Sequence, residues 1–182
     1  MRLLPPRCRF RRLDALLLFM MCSSVAVAFG ADNQGNSSDA GAMRNGIALT
    51  GAVEHPRTLT LDDLKREPAI TQTVMLKSPH GTLSGSFTGT SLWGLLQQAV
   101  LKSVGNRSND VIRQVITITG SDGYSTVLSA AEIDPEFGAE QALLAYERDG
   151  KPLAGPGFAR LILPGDKSAG RAISGVTSIS VH

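Results

Sequence analysis

From residue 47 onward the chain is cut at short intervals by turn residues, spaced too closely to leave room for long helices. The cuts fall at Glu54-His55-Pro56-Arg57, Pro79-His80-Gly81, Gly120-Ser121-Asp122-Gly123, Asp149-Gly150 and Pro164-Gly165-Asp166. Proline pre-sets φ and glycine accepts positive φ, so such clusters turn the backbone whatever surrounds them. The runs between them are rich in β-branched and aliphatic residues. Strands are therefore expected at residues 47–53, 70–76, 82–87, 111–118, 124–128, 142–147, 158–163 and at the C-terminal end. Asp149-Gly150 is the strongest of the turn signals, a two-residue hairpin between 142–147 and Lys151-Pro152-Leu153. The last strand alternates, with Ile173, Thr177, Ile179 and Val181 pointing one way and Val176, Ser178 and Ser180 the other.

Helical patterns are few. Thr60 precedes Leu61-Asp62-Asp63-Leu64 with a carboxylate three residues on, a capping-box-like start for a helix that Pro68 stops. Thr90 or Ser91 caps the best helix, whose Leu92, Leu95, Leu96, Ala99 and Val100 recur at helical spacing on one face. Trp93 lies one position off that stripe, about 100° round the helix. Ser129-Ala130-Ala131-Glu132 reads as a capping box for a short helical turn ended by Pro135. The expected fold class is α+β, β-rich and mixed, in a single domain. No βαβ rhythm is present, which argues against a doubly wound dinucleotide-binding sheet.

Residues 1–30 read as a secretory signal peptide: a basic start with Arg2, Arg7, Arg9, Arg11 and Arg12, an apolar stretch, and Ala26-Val27-Ala28 near its end. A retained membrane anchor is the alternative reading. Residues 31–46, rich in Asn, Ser, Gly and Asp, read as a flexible linker, and 47–182 as the folded domain. The expected location is periplasmic or secreted. Both cysteines, Cys8 and Cys22, fall in the leader, so a mature chain has no disulfide, thiolate ligand or thiol nucleophile. The formal charge of +2 also belongs to the leader. Five of the eighteen basic residues and one of the sixteen acids precede residue 31, leaving thirteen against fifteen, a net −2. That balance argues against nucleic acid as a partner.

The motifs of the commonest chemistries are absent, and His55, His80 and His182 lack a metal-ligand spacing. Two features have a physical case. Arg160, Lys167 and Arg171 surround the glycine-bracketed stretch 164–170, which suits a bound phosphate; the alternative is ordinary surface charges paired with carboxylates. Trp93, the only tryptophan, together with Tyr124 and His80 suits a stacking platform for a flat heterocycle; the alternative is that Trp93 caps the core edge. Asp122 reads as a turn residue or as a ligand contact.

Taken in order, Leu49-Thr50-Gly51-Ala52-Val53, Leu59-Thr60-Leu61-Asp62-Asp63-Leu64 and Phe87-Thr88-Gly89-Thr90-Ser91-Leu92-Trp93-Gly94 resemble the oxidoreductase molybdopterin-binding domain of sulfite oxidase fold. Gly120-Ser121-Asp122-Gly123-Tyr124, Asp149-Gly150-Lys151-Pro152-Leu153, Arg160-Leu161-Ile162-Leu163-Pro164-Gly165-Asp166 and Gly170-Arg171 continue the series. The resemblance implies a pterin or molybdopterin held among loops, with Arg160, Lys167 and Arg171 on its phosphate and Trp93, Asp122 and Tyr124 lining the ring. Catalytic relatives ligate molybdenum through a cysteine on the loop after the strand at 70–76. Here that loop is Lys77-Ser78-Pro79-His80-Gly81, with Ser78 as the only oxygen donor of that kind and His80 beside it. The expectation is an exported pterin- or molybdopterin-binding protein in which molybdenum is not expected, of a kind that suits a ligand sensor with a membrane-bound signalling or electron-transfer partner. The alternative is a molybdopterin-dependent oxidoreductase with a non-cysteine molybdenum site.

Overall fold

The computed structural model describes residues 46–103, 110–137 and 141–182, all within one compact unit of the chain, Gln34–His182. The readings of a signal peptide with its two cysteines, and of a linker after it, lie outside the described residues. No described helix is long and apolar enough to cross a membrane.

Among the described residues, ten strands form two sheets. The first contains β1 (Ile47–Gly51), β2 (Arg57–Leu59), β5 (Val115–Gly120), β6 (Ser125–Ser129) and β10 (Val176–Val181), in the order β2-β1-β10-β5-β6. Here β1 and β10 run parallel, whereas the remaining neighbours are antiparallel, so the sheet is mixed. The second contains β3 (Ile70–Ser78), β4 (Gly81–Ser91), β7 (Leu143–Arg148), β8 (Lys151–Pro152) and β9 (Arg160–Ile162), ordered β3-β4-β7-β8, with β9 also paired to β7. Three α-helices among the described residues join them: α1 (Leu61–Arg66), α2 (Leu92–Ala99) and α3 (Ala130–Ile133).

The larger core gathers the inner residues of the first sheet, such as Ile47, Leu49, Ile116, Ile118 and Ile179, with α2 and one face of β7 and β9. The opposite face of the second sheet carries a smaller core of Val74, Leu76, Phe87, Leu143, Ala145 and Ile162. Along β7, Leu143 and Ala145 enter the small core while Leu144 and Tyr146 enter the large one. A strand covered on both faces must be apolar throughout, and Leu143-Leu144-Ala145-Tyr146 is. Four departures from the sequence reading have local causes. A register shift between Val176 and Ser178 resets the alternation of β10, so Val176 is buried alongside Ile179 and Val181. Residues Val111–Arg113 form a 3-10 turn, and the strand expected from 111 begins at Val115. Val100, read as a core position, ends α2 at φ +56° and is exposed. Ser129 makes no side-chain cap to α3; its Oγ instead donates to the Ile112 carbonyl at 3.4 Å.

Candidate functional site

Two adjoining hollows open on the outer face of the second sheet, above the small core, and both are lined by Leu83 and Arg160. The first, about 370 Å³, has Leu83, Phe87 and Leu153 as apolar wall and Arg148, Lys151, Arg160 and Asp149 as its charges. The second, about 330 Å³, lies toward the β3–β4 hairpin and is lined by Ser78, His80 and Thr82, with Ala169 and Ala172 from the loop before β10.

The cations are brought together by backbone devices. Asp149 and Gly150 both take positive φ, +52° and +72°, the signature of a tight type I′ hairpin. The hairpin sets Arg148 directly opposite Lys151. Like charges in that cross-strand position repel. A bulge opposite Thr88 and Gly89 adds one residue to β7, so Ala145 pairs with Gly89 but Glu147 with Thr88. The extra residue flips the later side chains to the other face. Arg148 therefore shares the face of its partner Phe87, and its guanidinium sits 5.6 Å from that ring's centre. The same side chain donates to the Ser84 carbonyl and lies 3.6 Å from the Asp149 carboxylate. Gly85 permits this: at φ +147°, a Cβ there would stand 2.9 Å from Arg148 Nε and 3.1 Å from Asp149.

Arg160 is half-buried, and Nη2 donates to Ser174 Oγ at 2.9 Å. No described carboxylate forms an ion pair with it. Burial, then the charge of Arg148, pulls its pKa below the ordinary arginine value. With Lys151, three cations face one carboxylate across the first hollow. The arrangement has the makings of an anion cradle with an apolar wall.

The residues singled out in the sequence divide into three groups. Ser78, His80 and Arg160 line the hollows. Ser78 Oγ accepts the backbone N–H of His80 at 3.1 Å. Asp122, Tyr124, Lys167 and Arg171 do not line either hollow. Asp122 Oδ1 accepts the Tyr124 N–H at 3.0 Å, closing its own turn, and the Tyr124 hydroxyl donates to the Gly170 carbonyl at 2.9 Å. Lys167 is exposed, and its backbone carbonyl accepts from Lys77 N–H at 3.1 Å. Arg171 forks onto Asp166 at 2.6 and 3.0 Å and reaches Glu132 at 2.6 Å, hydrogen bonds that hold its pKa above the ordinary value. Its guanidinium is thus committed to two carboxylates. Trp93 lines neither hollow; it is only 9% exposed and belongs to the large core, because α2 buries a face wider than its leucine stripe. Sequence reasoning missed Arg148 and Lys151. The available signal was a cation on either side of Asp149-Gly150, an opposition that a plain hairpin avoids.

The fold and hollow define a β-rich mixed domain with a cationic, ligand-sized depression on one sheet. The family described as "Oxidoreductase molybdopterin binding domain" matches residues 44–181, and the chain belongs to it. Among solved structures, the sulfane dehydrogenase SoxCD from Paracoccus pantotrophus is similar, with TM-score 0.63 and 18% identity over 78% of this chain. The match spans 39% of the SoxCD chain, so this chain covers well under half of that protein, and the likeness establishes a shared fold. No curated protein matches the chain.

The residues can be tested against the group the family name implies. Arg148, Lys151 and Arg160 around an apolar wall fit the anionic organic part of a molybdopterin. For a metal, Ser78 and His80 supply a hydroxyl and an imidazole at the far end. Among the described residues there is no cysteine and no cluster of three His, Cys, Asp or Glu side chains suited to a metal ion.

Proposed function

We propose that this chain is an exported pterin- or molybdopterin-binding protein that grips its ligand through the anionic end and supplies no thiolate to a metal. The observation that carries the reading is the half-buried Arg160, without an ion-pair partner among the described residues, shared by two hollows and opposed by the Arg148–Lys151 pair. Arg148, Lys151 and Arg160 hold the phosphate or carboxylate, Leu83 and Leu153 support the ring, and Ser78 and His80 face the remaining end. When bound, a metal-loaded molybdopterin supplies a two-electron redox centre; the chain's own residues bind and orient it and keep water from its ring. The basic and apolar leader supports a periplasmic or secreted location, cleaved on export. A membrane-bound signalling or electron-transfer protein is the partner this reading proposes.

Fluorescence titration of purified protein with a folate-type pterin and with molybdopterin tests this directly. Arg160→Ala and Arg148→Ala are each expected to weaken binding roughly tenfold or more, the cost of losing a charge-assisted contact. Wild-type protein that binds neither ligand would sink the reading. Metal analysis of the natively exported protein is expected to find pterin without stoichiometric molybdenum. The second reading, a molybdopterin-dependent oxidoreductase with an oxygen ligand, is favoured by one observation: Ser78 lines the hollow that Arg160 closes. It requires about one molybdenum per chain and turnover abolished by Ser78→Ala, an outcome that would replace the sensor reading.

A further inference from the structure

Residues 164–172 lie in the connection between β9 and β10, and they supply Ala169 and Ala172 to the wall of the second hollow. Their attachment is unusual in its reach. On the side of the second sheet, Lys77 N–H donates to the Lys167 carbonyl at 3.1 Å, and Lys77 bridges Ser168 in parallel fashion. On the other side the anchors come from elements of the first sheet and the helix that follows it. Glu132, in α3, accepts from Arg171 Nη1 at 2.6 Å, while Asp166 accepts from the other edge of the same guanidinium. Tyr124, in the turn between β5 and β6, donates its hydroxyl to the Gly170 carbonyl at 2.9 Å. The side chains of Arg171 and Glu132 are about one-third exposed, at 36% and 34%, and that of Asp166 is 18% exposed. Ion pairs this accessible add little to global stability. Bidentate geometry on a short loop adds something else, a fixed position.

We propose that Glu132, Asp166, Arg171 and Tyr124 form a latch that positions this loop as one wall of the ligand hollow and sets how fast bound ligand leaves. They are positioning residues: none lines either hollow, and all act through Ala169 and Ala172. The inference rests on the proposed ligand reading and assigns a role to the two sequence candidates, Tyr124 and Arg171, that the hollow itself does not use. It also explains why a sequence reading groups them with the site: they hold the wall rather than the ligand.

The test uses 6-carboxypterin as fluorescent probe, stopped-flow release, and hydrogen exchange at the Lys77 amide, on wild type, Tyr124→Phe and Glu132→Gln. Tyr124→Phe removes the hydroxyl bond to Gly170 and Glu132→Gln removes the charge facing Arg171, both at exposed or partly exposed positions outside the two cores. The expected result is dissociation about tenfold faster in each variant, the size of one weakened charge-assisted or hydrogen-bonded contact. Association and thermal midpoint change little, and Lys77 exchange accelerates without probe present. Dissociation within twofold of wild type in both variants would overturn the proposal, as would unchanged Lys77 exchange. Wild type that fails to bind the probe, with Lys77 exchange accelerated in the variants, would overturn the ligand reading and support the latch as a mechanical device. Arg160→Ala serves as the contrast: weaker binding with Lys77 exchange as in wild type marks a residue that touches the ligand.

Discussion

Replacing Trp93 by alanine is expected to cost about 3–5 kcal/mol, the usual toll for a large aromatic removed from a packed interior. Urea unfolding measures that loss, and titration of the surviving folded fraction is expected to give wild-type pterin affinity, since Trp93 sits in the large core. The stripe on α2 was readable because leucines at helical spacing announce a buried face. The position of Trp93 was not, since the width of that face depends on the sheets packed against it. Arg148 illustrates the same limit more sharply. Simple alternation from Leu143 and Ala145 would send it away from Phe87; the extra residue at the bulge brings it back. Of the residues singled out in the sequence, Ser78 and His80 lie at the turn of the β3–β4 hairpin, which Pro79 and Gly81 announce, whereas Arg160 lies within β9 and reaches the hollows only through the pairing of that strand with β7.

Among the elements, the two capping patterns make an instructive pair. At α1, Thr60 Oγ accepts the Asp63 N–H at 3.2 Å and Asp63 accepts the Thr60 N–H at 2.8 Å, a complete box. At α3 the same spacing of Ser129 and Glu132 makes none, and the Glu132 carboxylate is bound to Arg171. Local pattern fixes a cap only when no stronger partner competes for the side chain. Thr60→Ala is expected to destabilise the protein by about 1 kcal/mol. The Thr60 side-chain and backbone hydrogen bonds hold the Asp63 carboxyl below its ordinary value of 3.8. A carboxyl depressed in the folded state contributes stability above its unfolded value and loses it as pH falls through the folded one. The stability gap between wild type and Asp63→Asn, followed by thermal unfolding, is therefore expected to be full at neutral pH and to close below pH 3.8. A gap that persists unchanged in acid would show that the box contributes nothing through charge. Hairpins were likewise legible, because Pro79-His80 and Asp149-Gly150 carry their geometry within two residues.

For the whole molecule, the class and the ordered series of turns were visible in the sequence, whereas the assignment of strands to two sheets was not. Nothing local in Ile47–Gly51 says that it pairs in parallel with Val176–Val181, the element most distant from it along the chain. That pairing has a consequence for biosynthesis. With β10 between β1 and β5, the last of the described strands to be synthesised fills the middle of the first sheet. A nascent polypeptide lacking it holds β1–β2 and β5–β6 as two separated ribbons with a gap between them. Arrest-peptide force measurements are expected to register folding only after the codon for Val181 has been translated and the strand has cleared the exit tunnel. Until that moment the first sheet has no continuous hydrogen-bonded middle, so its two ribbons wait on the most distant segment for closure.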